Sequence, residues 1–92
     1  MKKYEYTLHV KLKLKKSVYI NLGISKKKIQ ATIENPKVLD KSENPVYIAI
    51  GDLTQDLSLC VPYKKIDGII RVITFYPAEK GRYELKLFSN RK

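Results

Sequence analysis

The sequence of 92 residues is 43% hydrophobic and carries a formal net charge of +10, from 19 Lys and Arg residues against 9 Asp and Glu residues. This length supports one domain around one core, predicted to span residues 1–92, and makes a two-domain organisation unattractive. The positive excess predicts a polyanionic partner, with RNA the first choice, because basic domains neutralise phosphates and release counterions; a lysine-rich, solvated surface is the alternative.

The first part of the chain carries two overlapping patterns. From Tyr4 to Leu14, apolar and polar residues alternate as in a half-buried strand. Val10 and Leu14 are instead four residues apart, and Gly23 suits the end of a helix. A short strand followed by a helix reconciles both patterns, and the assignment of residues 8–22 to helix or strand stays open.

The next segment predicts a helix with a defined start and end. Ser25 can cap its N-terminus, and Ile24 can pack against Ile29 as a hydrophobic staple. The helix is expected to stop at Asn35–Pro36, since the residue before a proline disfavours helical geometry. Lys26–Lys28 occupy the first turn, where the helix dipole disfavours positive charge. Their presence at this unfavourable position indicates that a requirement other than helix stability determines the surface charge.

From residue 38 onward the sequence has the pattern of strands separated by polar turns. Asp67–Gly68 is a strong hairpin signal, and the last strand is apolar on both faces except at Arg71 and Thr74, which favours a central position. The fold class predicted is α+β, with a short N-terminal strand and two helices packed on one face of a three- or four-stranded antiparallel meander. The predicted strands of this meander are Val38–Leu39, Val46–Ile50, Leu57–Val61 and Ile69–Tyr76.

Cysteine usage and hydropathy predict the compartment. Cys60 is the single cysteine, so it cannot form an internal disulfide, and its apolar surroundings predict a buried thiol. No apolar run reaches the ~20 residues needed to span a bilayer, and the N-terminus lacks the apolar core of a signal peptide. We therefore expect a cytoplasmic protein with no membrane partner.

Several short motifs together resemble the RelE/ParE toxin superfamily, which has a microbial-RNase-like fold, and in particular a small family placed near RelE and BrnT. They cover most of the chain, so the resemblance implies a single RelE-like domain. RelE-type members cleave messenger RNA on the ribosome, ParE-type members poison gyrase, and both are neutralised by a small antitoxin. The motifs are His9 with the basic residues after it, Leu22–Ile29, Glu34–Val38, Asp67–Pro77 and Gly81–Tyr83.

The resemblance also implies that basic and aromatic residues near the last strand and the tail carry the chemistry. The matching positions are Arg71, Arg82 and Tyr83, with Lys80 and Lys86 nearby. Metal-independent cleavage of RNA needs a general base, a cation and a general acid. His9 is the one side chain that titrates near neutrality when unperturbed, although a lone histidine more often hydrogen-bonds a neighbour and holds the start of a helix. The candidate catalytic residues are His9, Tyr76, Arg82 and Tyr83.

Lysines on the two predicted helices suggest a connected basic face. No metal site and no cofactor are predicted, because one His, one Cys and scattered acids do not form a ligand set. The candidate nucleic-acid-binding residues are Lys11, Lys13, Lys15, Lys16, Lys26, Lys27, Arg71, Thr74 and Lys80.

Three functions remain open from the sequence. The first is a RelE-like, metal-independent endoribonuclease acting on RNA, ribosome-bound messenger RNA included, and paired with a small acidic antitoxin. The second is a non-catalytic module that keeps the fold and grips RNA, DNA or an acidic protein. The third is an interaction protein whose groove binds an antitoxin. An exposed edge strand could also pair two copies as a homodimer.

Overall fold

A computed structural model describes residues 3–80, which form three helices and a six-stranded mixed sheet of the α+β class. This confirms the predicted class and the start of the chain as a short strand. None of the helices in this part of the chain has the length and hydropathy needed to cross a bilayer. The elements are β1 (Lys3–Tyr6), α1 (Leu8–Lys13), α2 (Ser17–Asn21), α3 (Lys26–Glu34), β2 (Val38–Asp40), β3 (Tyr47–Asp52), β4 (Leu57–Ile66), β5 (Ile69–Val72) and β6 (Tyr76–Glu79).

The sheet has the strand order β1-β5-β4-β3-β2, and β6 also pairs with β4. β4 is the long central strand: its second half pairs with β5 and its first half with β6, both antiparallel. β1 is the exception in direction, since it pairs with β5 in parallel, with Tyr4 opposite Ile70. The long connection that a parallel pair requires runs through the three helices and then through β2, β3 and β4.

The predicted number of meander strands, three or four, is wrong, since five strands follow α3 within residues 3–80 and the N-terminal strand β1 brings the sheet to six. The predicted last strand, Ile69–Tyr76, is divided into β5 and β6 because regular pairing stops at residues 73–75. Phe75 turns into the core at this interruption and is fully buried. As a result, one edge of β4 pairs with two short strands, β5 along Tyr63–Ile66 and β6 along Leu57–Cys60.

The segment 8–22 is helical, and the predicted pair of helices is wrong in number because this segment holds two of the three. α1 ends where the backbone N–H groups of Lys15 and Lys16 donate to carbonyls three residues back, at 3.2 and 3.0 Å. This tighter hydrogen-bond pattern is typical of the last turn of a helix. A second short helix then begins at Ser17.

Local sequence signals for turns and caps are confirmed. The Ser25 hydroxyl accepts a hydrogen bond from the Lys28 backbone N–H at 3.2 Å, and Ile24 and Ile29 are both buried in one cluster, as expected for the staple. The hairpin between β4 and β5 turns at Asp67 and Gly68, whose φ angles of 49° and 79° lie in the left-handed region. Such angles at two successive residues are those of a tight hairpin turn.

The two faces of the sheet carry different clusters. The larger core lies between the sheet and the helices, and its fully buried members include Val10, Ile29, Val61, Val72 and Phe75. The cluster on the opposite face consists of Ile48, Ile50 and Cys60 and contains no residue from a helix. Since both faces of the central strands are apolar, the alternation seen in half-exposed strands is lost there.

Gly51 sets the distance between α3 and β3. A Cβ atom at this position would lie 3.2 Å from Cγ2 of Thr32, whose hydroxyl donates to the Lys28 carbonyl at 2.8 Å. We predict that Gly51→Ala lowers the free energy of unfolding by about 1 kcal/mol through this overpacking. In a Thr32→Ser background the same change should be nearly neutral, because Cγ2 is gone. Denaturant unfolding of the four proteins checks this, and an equal cost in both backgrounds would contradict it.

Candidate nucleic-acid interface

The positive charge of the described chain is concentrated in one segment. Residues 7–33, which we call the helical layer, contain seven lysines and no Asp or Glu, whereas residues 34–80 contain six Lys and Arg residues and seven Asp and Glu residues. Apolar residues from all parts of this layer pack into one cluster on one face of the sheet. The unbalanced cations therefore lie on one side of the sheet. They are Lys11, Lys13, Lys15, Lys16, Lys26, Lys27 and Lys28.

Most of these lysines are available to a partner. Within residues 3–80, the salt bridges join Lys37 and Lys80 to Asp52, and Arg71 to Glu5, so none of them involves the helical layer. Internal carboxylates thus do not neutralise the cations of this layer. Those with exposed side chains are Lys11, Lys15, Lys16, Lys26 and Lys27.

Arg71 and Lys80 do not join this array. The Arg71 Nε donates to Glu5 Oε1 at 2.8 Å, and its strand neighbours Ile70 and Val72 point into the helix-side core, which puts Arg71 on the opposite face. The Lys80 Nζ lies 3.4 Å from the Asp52 carboxylate. These two candidates are therefore paired with acidic side chains, away from the helical layer.

Two of the predicted binding residues, Lys13 and Thr74, are in contact at the interruption between β5 and β6. The Lys13 Nζ lies 3.3 Å from the Thr74 hydroxyl and donates to the Phe75 carbonyl. It also lies 4.5 Å from the centroid of the Phe75 ring and 5.1 Å from that of Tyr19. Burial, and secondarily the charge of Lys16, lowers the pKa of Lys13. Lys13 thus links α1 to the sheet.

The candidate catalytic residues do not form one site within the described chain. His9 is exposed on α1. Tyr76 pairs opposite Cys60 and packs with the cluster on the face that has no helices. His9 and Tyr76 are consequently separated by the sheet. Arg82, Tyr83 and Lys86 lie outside the described residues.

Two tyrosines of the edge strand β1 bind side chains of α3. The Tyr4 hydroxyl donates to Glu34 Oε2 at 2.7 Å, and the Gln30 side-chain amide donates to the Tyr6 hydroxyl at 2.6 Å. Burial and the bonded Glu34 carboxylate raise the pKa of the Tyr4 phenol. The Lys26 Nζ lies 5.1 Å from the centroid of the Tyr6 ring, so this lysine is positioned by an aromatic face.

The sequence interpretation missed the exposed apolar side chains of this layer, because it assigned apolar residues to the core. The relative exposure is 72% for Leu8, 52% for Leu12, 57% for Val18 and 56% for Ile20. Val10 lies between Leu8 and Leu12 and is fully buried, so the spacing in the sequence could have separated the inner face of α1 from its outer face.

An open groove lies where α2, α3 and the turn between them meet. Its volume is about 590 Å³. α3 begins directly after its N-cap residue Ser25, so lysines of its first turn lie at the border of the groove. Aliphatic side chains form much of the remaining lining. The lining residues are Leu14, Ile20, Gly23, Ile24, Ser25, Lys26 and Lys27.

Known proteins and metal chemistry add no assignment to this site. Comparison with protein-family models, with curated proteins and with solved structures found no match. The resemblance to the RelE/ParE superfamily therefore stays a prediction. Among residues 3–80, no three His, Cys, Asp or Glu side chains are grouped so that they could hold a metal ion.

The partly buried ammonium of Lys13 predicts a pH dependence of stability. Because its pKa is lowered on folding from 10.5, the unfolded chain binds more protons than the folded one between the two values. The free energy of unfolding should then rise with pH in that window. We predict that the wild type gains stability relative to a Lys13→Met variant as the pH rises toward 10.5. Urea unfolding of both proteins measures the difference, and a difference that stays constant with pH would contradict the prediction.

Proposed function

We propose that this protein is a non-catalytic RNA-binding module that grips phosphates through the helical layer. The observation that carries the proposal is the segregation of charge: seven lysines and no carboxylate in residues 7–33, beside a balanced remainder of the described chain. A merely solvated basic surface would have no reason to exclude carboxylates from one layer. A polyanionic partner gives that reason, because each carboxylate would repel its phosphates.

The strength of such binding follows from counterion release. Each phosphate neutralised on a single strand contributes about −0.7 to the slope of log K against log salt concentration. Five exposed lysines occupy the layer, so a slope of roughly −3 is expected when most of them make contact. Affinity should therefore fall steeply as salt is raised.

The described residues favour binding over cleavage. Cleavage without metal needs a general base and a general acid at the same phosphate. His9 is on the helix side of the sheet, whereas Tyr76 packs on the other side. Phosphate binding needs only the lysines, which already share one side.

Reversal of two charges within the layer tests the proposal against an equal reversal elsewhere. In fluorescence anisotropy with labelled RNA, Lys16→Glu with Lys27→Glu should weaken binding by roughly tenfold or more and reduce the salt slope by about two contacts. The control is Lys3→Glu with Lys41→Glu, which changes the net charge equally at two exposed positions outside the layer. At physiological salt this control should cost less than about threefold, because distant charges are screened.

If both double variants lowered the affinity for RNA equally, the proposal would be wrong. Binding would then depend on the net charge of the protein and not on the position of the lysines. The same samples test for catalysis. RNA recovered from the binding reaction in EDTA should run intact on a denaturing gel. Discrete cleavage products that increase with time would replace the binding module by a metal-independent ribonuclease.

A trade-off between binding and stability is expected at the start of α3. Lys27 is exposed in the first turn, where the helix dipole disfavours a cation. Lys27→Glu should raise the free energy of unfolding by about 0.5–1 kcal/mol while it weakens RNA binding. Lys27→Gln is the matched control and should give about half of the stabilisation. A variant that is destabilised would show that Lys27 has a structural role instead.

A further inference from the structure

The groove between α2 and α3 combines apolar walls with two cations. Leu14, Ile20 and Ile24 provide the walls, and Lys26 and Lys27 border it. Ile20 is 56% exposed, so a large aliphatic side chain is turned to solvent beside the groove rather than into the core. A concave apolar surface and exposed lysines therefore coincide in this part of the helical layer.

We infer that this groove accepts an unpaired nucleobase of single-stranded RNA, with the adjoining phosphates on Lys26 and Lys27. The inference rests on the proposed RNA binding and names the class of RNA that the site takes. It assigns selectivity to the groove and general affinity to the lysines around it.

The chemistry of the groove matches a nucleotide. Its volume of about 590 Å³ lies within the range of small-molecule sites, roughly 300–1,000 Å³. Aliphatic side chains can hold an unstacked base by its faces, and lysine contacts position the phosphates on either side of it. In a duplex the bases are paired and stacked inside the helix, so only phosphates would reach the protein. Single strands should therefore gain a contact that duplexes lack.

An acidic peptide is the other partner class with complementary charge. A bound amphipathic helix is recognised through anchors spread over two turns, at positions i, i+3, i+4 and i+7. The groove is instead small, with a volume of about 590 Å³ and seven lining residues. One flat, compact group with charge beside it fits this site better than an extended apolar stripe.

Two neighbouring side chains on α2 provide a matched pair of variants. Ile20 lines the groove and Val18 does not, yet their exposures are nearly equal, 56% and 57%. Ile20→Ser and Val18→Ser should both fold as the wild type does, because neither side chain belongs to the buried core. Thermal unfolding verifies that before binding is compared.

The experiment measures the affinity of three probes by anisotropy: a single-stranded RNA of about 12 nucleotides, the same strand with abasic positions, and the matching duplex. The wild type should bind the intact single strand roughly tenfold more tightly than either of the others, as expected when one base is held. Ile20→Ser should remove most of this preference and leave duplex binding unchanged. Val18→Ser should retain the preference.

Each alternative result has a distinct meaning. Equal affinity for the intact single strand, the abasic strand and the duplex would overturn the base-binding groove and leave phosphate binding by the helical layer in place. Absence of binding to every RNA would overturn the proposed function as well. If Ile20→Ser weakened binding of an acidic amphipathic peptide and left every RNA affinity unchanged, the groove would belong to a protein partner and the inference would be wrong.

Discussion

The burial of Phe75 at the interruption between β5 and β6 is the interaction on which the arrangement of helices depends. Its ring is fully buried and meets the edge of Tyr19 from α2 at a centroid distance of 5.2 Å. The same interruption exposes carbonyls that α1 uses: the Thr7 hydroxyl donates to Ile73 at 3.2 Å, and Lys13 donates to Phe75. A break in one strand thus supplies both the apolar and the polar anchors of two short helices, which are too short to be stable alone.

This anchoring explains how the helical layer tolerates its charge. Lysines repel one another across α1, α2 and the start of α3, and no carboxylate within residues 7–33 relieves the repulsion. Val10, Tyr19 and Ile29 hold the layer on the sheet from beneath, so the outer surface is free of any structural requirement for ion pairs. Leu8 and Leu12 on the outer face of α1 can likewise remain exposed, because packing of the inner face already fixes the helix.

Features set by neighbouring residues could be predicted, and features set by distant pairing could not. The Ser25 cap, the turn at Asp67–Gly68 and the buried Cys60 depend on local chemistry, and the structure has them where the sequence placed them. The pairing of Arg71 with Glu5 joins residues 66 apart and exists because β1 lies parallel to β5, which no local pattern indicates. The interruption between β5 and β6 could not be predicted either, because the run Ile69–Tyr76 is almost continuously apolar. A buried residue at the break, Phe75, has the same hydropathy as a residue within a buried strand.

The distribution of charge carries more functional information than the total. A net charge of +10 would attract a polyanion from any direction if it were uniform, and it would not orient the partner. Here residues 34–80, which contain β2 to β6, carry nearly equal numbers of cations and anions. The charge of the described residues is therefore uneven, and we expect the proposed polyanionic partner to approach the side where α1, α2 and α3 lie. Because the groove beside Ile20 is bordered by lysines of that same layer, the proposed long-range attraction and the proposed base selectivity would act on the same approaching strand.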